Sequence, residues 1–252
     1  MTESPGPLPP AFYAANVGGK RRWWSDWWVL LHAPYTLWHL SYVAVGATLA
    51  PHFDSVRLTA TALAFFLAVG LGAHALDEVQ GRPLHTSIST RTLVAVAAVS
   101  ISGAVALGIA GIDRVGIGLA FFIAAGIVLN CGYNLELFGG RLHNDVTFAA
   151  AWGAFPVLTA YYAQAETLRP AAFVAAAFAF WLSAAQRALS TPARTLRRRI
   201  ESVDGTITYL DGRVMALSRS DLLAPLEKTL KALAWSVIAL AAALIVYRTT
   251  KG

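Results

Sequence analysis

Seven apolar runs, at 27–50, 58–76, 92–112, 115–131, 146–163, 170–186 and 230–247, dominate this chain, and Lys231 is the one charged residue within any of them. A helix needs about 20 mostly apolar residues to cross about 30 Å of hydrocarbon. The runs therefore predict an all-α fold, a polytopic transmembrane helical bundle of about seven spans. Those at 115–131 and 170–186 are short and are expected to extend by a turn. Lys231 stands at a helix end, where a long basic side chain can reach the headgroups. Charged residues make up 13% of the 252 residues, against about 25% in a soluble domain, a deficit too large to come from one core. The spans are rich in Ala and Gly, which let helices pack closely in lipid.

Loop charges predict the orientation. Of the 20 Lys and Arg residues, 15 fall on one side when the loops are numbered alternately, and five (Arg57, Arg114, Arg169, Arg248, Lys251) fall on the other. The positive-inside rule makes the first side cytoplasmic. The N-terminus is then cytoplasmic, the C-terminus lies on the opposite side of an integral cell-membrane protein, and Trp23, Trp24, Trp27 and Trp28 lie at headgroup level. The first run follows Lys20, Arg21 and Arg22 and is too long for a signal h-region, so it reads as a retained span. The net charge of +6 reflects topology and contact with anionic lipid. Nucleic-acid binding is excluded as the leading reading because the basic residues flank spans. The lone Cys131 excludes an intrachain disulfide.

The expected organisation is a cytoplasmic tail (1–26), a helical bundle (27–190), a basic cytoplasmic segment (191–229) and a last transmembrane helix with its tail (230–252). Within the basic segment, 205–217 predicts a small β-hairpin with Asp211-Gly212 as a type I′ turn, and Ser220 is a candidate cap for the following helix. Four arginines between Arg194 and Arg199 read as a topology signal, or as a phosphate clamp for a lipid.

Polar residues gather at one end of the spans. His74, Asp77 and Glu78, spaced i, i+3 and i+4, fall on one helix face. An imidazole and two carboxylates converging there are candidate ligands for a divalent cation: magnesium by the oxygens, zinc, iron or manganese if the imidazole joins. The loop 130–145, predicted at the same end, carries Asn134, Glu136, Gly139, Gly140, Arg141, His143 and Asp145. Its glycines allow a tight turn or a close ligand approach, and Asp145 alternatively caps the fifth span. His32 and His39, seven residues apart, share a face of the first span, where ionisable residues are functional candidates. Tyr35, Tyr161 and Tyr162 read as packing or interface residues.

Three stretches resemble the UbiA superfamily of intramembrane prenyltransferases, nearest its menaquinone-pathway branch. His32 to Leu37 resembles the family's opening Arg-Pro-x-Thr-Leu region. Ala73 to Asp77, with Gly81, is placed like its first aspartate-rich motif. Gly140 to Gly153, continuing to Tyr161, Tyr162 and Gln164, is similar to its loop and fifth span. The resemblance covers about 27–190. It implies transfer of a prenyl group from a polyprenyl diphosphate, or a related lipid, at the cytoplasmic face, with Mg2+ as cofactor. Asp77, Glu78, His74 and Asp145 are then the catalytic candidates, and His74, Asp77 and Glu78 the metal ligands. Arg82, Asn134, Arg141 and His143 would contact the substrates. The chain departs from the pattern in three ways. His74 stands where the family has an acid, the stretch Ser183 to Ser190 keeps Arg187 and no acid, and seven spans replace nine. Two other readings stand beside this one: a catalytically silent bundle that binds a lipid or a partner membrane protein, and a His/carboxylate metalloenzyme acting on lipid.

Overall fold

The computed structural model describes residues 23–251. Each apolar run is helical. The elements are α1 (Trp23–Leu30), α2 (Ala33–Leu49), α3 (Ser55–Val79), α4 (Thr90–Val115), α5 (Leu119–Asn134), α6 (Asp145–Ala165), α7 (Pro170–Arg198) and α8 (Arg219–Lys251). Two short strands, β1 (Gly205–Thr208) and β2 (Val214–Leu217), pair antiparallel between α7 and α8. Lys20, Arg21 and Arg22, and most of the expected cytoplasmic tail (1–26), lie outside the described residues.

Of the seven expected spans, five correspond, among the described residues, to helices long and apolar enough to cross a membrane, namely α3, α4, α6, α7 and α8. The 16-residue α5, at 1.5 Å per residue, covers only about 24 Å. The run 27–50 is broken in two. His32 adopts a left-handed φ of 44°, and α2 restarts with Pro34 in its first turn, where a proline's missing N–H costs nothing. Large apolar side chains on the outer faces, among them Val99, Phe121, Val174 and Trp181, are exposed. An aqueous surface would penalise them, whereas lipid is their natural solvent.

Close helix packing centres on α2, which lies against α6 and α8. Gly46 of α2 faces the backbone of Val157, so near that a Cβ would lie 2.3 Å from its carbonyl oxygen. The buried Trp38 Nε1 and Ser183 Oγ both donate to the Tyr42 hydroxyl, at 2.6 and 3.1 Å, tying α2 to α7.

One end of the bundle is fastened by arginines that cap neighbouring helices. Arg57 donates to the carbonyls of Ala163 (3.1 Å), Gln164 (3.3 Å) and Arg114 (2.5 Å) and to Glu166 (3.0 Å). Arg248 donates to the carbonyls of Thr48 and Ala50. These oxygens belong to the last turns of α6, α4 and α2, which have no intrahelical donors, and a cation there also meets the negative end of the helix dipole. Arg57→Ala should therefore lower stability by about 2 kcal/mol, read as a lower thermal midpoint of the purified protein. An unchanged midpoint would show the cap to be dispensable.

Helix α7 continues past the predicted boundary to Arg198, and α8 begins at Arg219, so the irregular segment contracts to 199–218. The Arg197 guanidinium and Glu227 carboxylate pair across the two helices. The hairpin exists as predicted, but its turn does not. The Gly212 amide bonds the Tyr209 carbonyl (2.9 Å), and the Tyr209 amide bonds the Arg213 carbonyl (2.8 Å). Gly212 alone has positive φ, 83°. This is a three-residue loop, a type I turn closed by a left-handed glycine, rather than a type I′ pair. The Arg213 backbone amide, and then its side chain, hold the Asp211 carboxyl below its usual range. Ser220 is not the helix cap. Ser218 precedes α8 and donates its N–H and hydroxyl to Asp221 (2.8 and 2.5 Å), half of a capping box.

Candidate functional site

Two of the long helices carry π-helical stretches, Phe66–Ala73 in α3 and Ala149–Ala154 in α6. A π turn displaces the backbone ladder and frees carbonyls, and such turns are frequent at functional sites. The His74 amide bonds Leu71 rather than Gly70, and the Gly70 carbonyl instead meets His74 Nδ1 at 3.1 Å. In α6 the position four residues after Trp152 is Pro156, which has no N–H to return. The Trp152 carbonyl meets His39 Nδ1 at 2.9 Å. At the end of α5, His143 Nδ1 lies 3.2 Å from the Tyr133 carbonyl, with its ring stacked on that tyrosine at 4.4 Å. A carbonyl only accepts, so each of these histidines carries a proton on Nδ1, and in the uncharged tautomer its lone pair is on Nε2.

These three rings line one polar cavity of about 260 Å³. Asp77 also lines it, exposed, as do Asn134, Gln186, Arg187 and Arg194. His32 completes the wall, its ring 5.1 Å from that of His74. Asn134 is buried and donates to both oxygens of Asn130, and Asn130 donates to the Ala68 carbonyl in the π segment. An apolar cavity of about 400 Å³ opens among α3, α4, α5 and α6, and Val69 and Trp152 form walls of both.

The cavity gathers four of the predicted site residues, His74, Asp77, Asn134 and His143, from three separate segments. Four others lie elsewhere. Glu78 is fully buried, and its carboxylate accepts from the Leu84 amide (2.9 Å), the Thr86 amide (2.8 Å) and the Thr86 hydroxyl (2.9 Å). It organises the loop after α3 and does not join His74 and Asp77, because a carboxylate with three donors at its side has no reason to leave them. Arg82, predicted to contact phosphate, donates to the Ile88 carbonyl and the Thr90 hydroxyl in the same loop. Arg141 is exposed and outside the cavity. Asp145 is not the cap of its helix: Asn144 is, accepting from the Thr147 amide at 2.8 Å. Asp145 instead pairs with Arg187 Nε at 2.8 Å on the cavity rim. Gly139 and Gly140 do make the tight turn, with φ of 67° and 74°.

The cavity also brings in His39, Tyr133, Gln186, Arg187 and Arg194, none of them among the residues that the sequence assigned to catalysis, substrate or metal. Two signals pointed toward them, the helical face shared by His32 and His39 and the alternative of a phosphate clamp beginning at Arg194. Tyr133 and Gln186 had no signal.

Among the described residues, no group of three His, Cys, Asp or Glu side chains is placed to hold a metal ion. Magnesium bound with a diphosphate takes one or two carboxylates together with phosphate oxygens and waters. With Glu78 in the loop and Asp145 on Arg187, Asp77 is, among the described residues, the one carboxylate lining the cavity, fewer protein ligands than the three that the sequence reading gave the ion. The same loss of Glu78 removes the third ligand of the His/carboxylate metal site.

No family model matches the chain, and no curated protein or solved structure matches it.

Proposed function

We propose that the protein is an integral-membrane, UbiA-like protein of the prenyltransferase type. A polyprenyl diphosphate enters with its head in the polar cavity and its tail in the apolar one, and its prenyl group passes to an acceptor at that end, which the loop charges assign to the cytoplasm. The observation that carries this reading is the common wall. A polar cavity with cationic and histidine walls abuts a larger apolar one through Val69 and Trp152, the shape of an amphiphile with a small charged head.

In the transfer, the C1–O bond of the prenyl group breaks and its electron pair leaves with the diphosphate. The new bond forms between C1 and the acceptor nucleophile, and the acceptor's proton goes to a base. His74 is suited to receive it, since its Nδ1–H is held by Gly70 and Nε2 keeps its lone pair. Asp77, exposed and without a hydrogen bond among the described residues, favours the charged imidazole that results. Removing a positioned general base costs about 10²–10⁴-fold in rate. His74→Ala should thus suppress transfer of labelled prenyl diphosphates to aromatic or polar-lipid acceptors by about that factor, and Asp77→Ala by less. A His74→Ala protein as active as the parent would remove His74 from this role.

A second reading, lipid binding without transfer, is favoured by the engagement of Glu78 and Asp145 with protein partners. Binding of prenyl diphosphate with neither product nor released diphosphate, across chain lengths and acceptors, would establish it over the first.

A further inference from the structure

The polar cavity is richer in cations than in anions. On α7, Gln186, Arg187, Ser190 and Arg194 share one face, and all line the cavity. Arg187 gives Nε to Asp145 and rests over the Phe148 ring, 5.2 Å from its centroid. Among the described residues, its terminal amino groups have no hydrogen-bond partner. Arg194, two turns further, is half-buried, and its side chain makes no hydrogen bond or ion pair with any described residue. A partly buried guanidinium with no carboxylate paired to it is unfavourable, and a second one nearby makes it more so.

Two neutral groups add to this. The Tyr133 hydroxyl and Gln186 Oε1 are buried without a hydrogen-bond partner, in residues that are 4% and 3% exposed. Buried polar atoms are nearly always paired, and exceptions call for an explanation such as a ligand. A phosphate head supplies acceptors for the guanidinium groups and the tyrosine hydroxyl, and a protonated phosphate oxygen or an acceptor hydroxyl supplies a donor for Gln186.

We infer that this cavity binds the phosphate-bearing head of a lipid through Arg187 and Arg194 directly, with no divalent cation bridging it. The guanidinium groups take the place that magnesium would have. The inference rests on the reading that a lipid head enters the cavity, and goes beyond it in naming what neutralises the head. Guanidinium forks suit phosphate oxygens bidentately, and the same two charges repel a magnesium ion for which the lining offers Asp77 as its one carboxylate.

The test measures equilibrium binding of farnesyl diphosphate, farnesol and inorganic pyrophosphate to the full chain in nanodiscs, each in EDTA and in magnesium. Farnesyl diphosphate should bind in EDTA within about twofold of its affinity in magnesium. Arg194→Gln should weaken it by about tenfold or more, and Arg194→Lys by less, while farnesol binding stays unchanged. Without lipid, the thermal midpoint of Arg194→Gln should equal or exceed that of the parent, since no protein contact is lost. Farnesyl diphosphate binding that requires magnesium, or survives Arg194→Gln, would overturn the inference and leave the lipid reading standing. A lowered midpoint in lipid-free Arg194→Gln would also overturn it, by making Arg194 structural. Pyrophosphate bound as tightly as farnesyl diphosphate would show a site for free phosphate and overturn the lipid part. If neither farnesyl diphosphate nor farnesol binds, the lipid reading falls and takes the inference with it.

Discussion

Gly46→Val should abolish recovery of a folded, monodisperse protein, and Gly46→Ala should already cost about 3 kcal/mol or more. The reason is the identity of the neighbour. A Cβ at residue 46 would lie 2.3 Å from the Val157 carbonyl oxygen and 2.9 Å from its Cα. These are backbone atoms of α6, which cannot rotate away, so the two helices must separate. The contact belongs to the core in which Val43, Ala47, Val157 and Ala160 are fully buried, and separation would loosen all of them. In lipid, such packing rather than water exclusion holds helices together. Gly81 offers the contrast. A Cβ there would meet nothing within 4 Å, and only its φ of 89° constrains it. Gly81→Ala should cost about 1–2 kcal/mol. Recovery of Gly46→Val and thermal unfolding of Gly46→Ala and Gly81→Ala check the order. A Gly46→Ala protein as stable as the parent would refute the close approach of α2 and α6.

Two adjacent carboxylates should behave in opposite ways. Glu78→Ala leaves three donors, the part-buried Leu84 amide and the buried Thr86 amide and hydroxyl, without their acceptor. At about 1–3 kcal/mol for each such group, partly offset by water entering the opened loop, the expected loss is about 4 kcal/mol. Glu78→Gln should not rescue it, because the amide nitrogen would face a donor. Asp77→Ala, at an exposed position, should change stability by less than about 0.5 kcal/mol while lowering transfer. Denaturation curves for the two alanine variants decide the matter. Equal destabilisation would mean that Asp77 too is structural, and no loss at Glu78 would return it to the site candidates.

The loop that Glu78 organises also shows why helical spacing misled. His74, Asp77 and Glu78 do follow one another at i, i+3 and i+4, yet Glu78 lies at the rim of that face, where the chain folds back through Arg82 and His85, both with positive φ. Spacing states which residues a helix presents together. It cannot state that the next ten residues will return to claim one of them. Arg82, a member of that returning loop, was lost to the site for the same reason. The hairpin followed a similar course. Its alternating arms and Asp211-Gly212 marked a turn, but the loop length depends on the pairing of Thr208 with Val214, which the local pattern leaves open.

The amino-acid sequence by itself determined that the chain is helical and of membrane type, where each apolar run lies, and that His74, Asp77, Asn134 and His143 are polar groups near one end. These are properties of solvation along the chain, since a long run without charge has only one favourable environment. The tertiary structure alone decided which helices reach membrane length, that Glu78 and Arg82 serve a loop, and that Arg187, Arg194, Tyr133 and Gln186 complete the cavity. It also decided that the carbonyls of Gly70 and Trp152 hold two of the histidines. Those outcomes depend on which donor meets which acceptor across helices, a choice made by three-dimensional packing and by the unpaired carbonyls of two π turns, and neither leaves a periodic mark in the sequence.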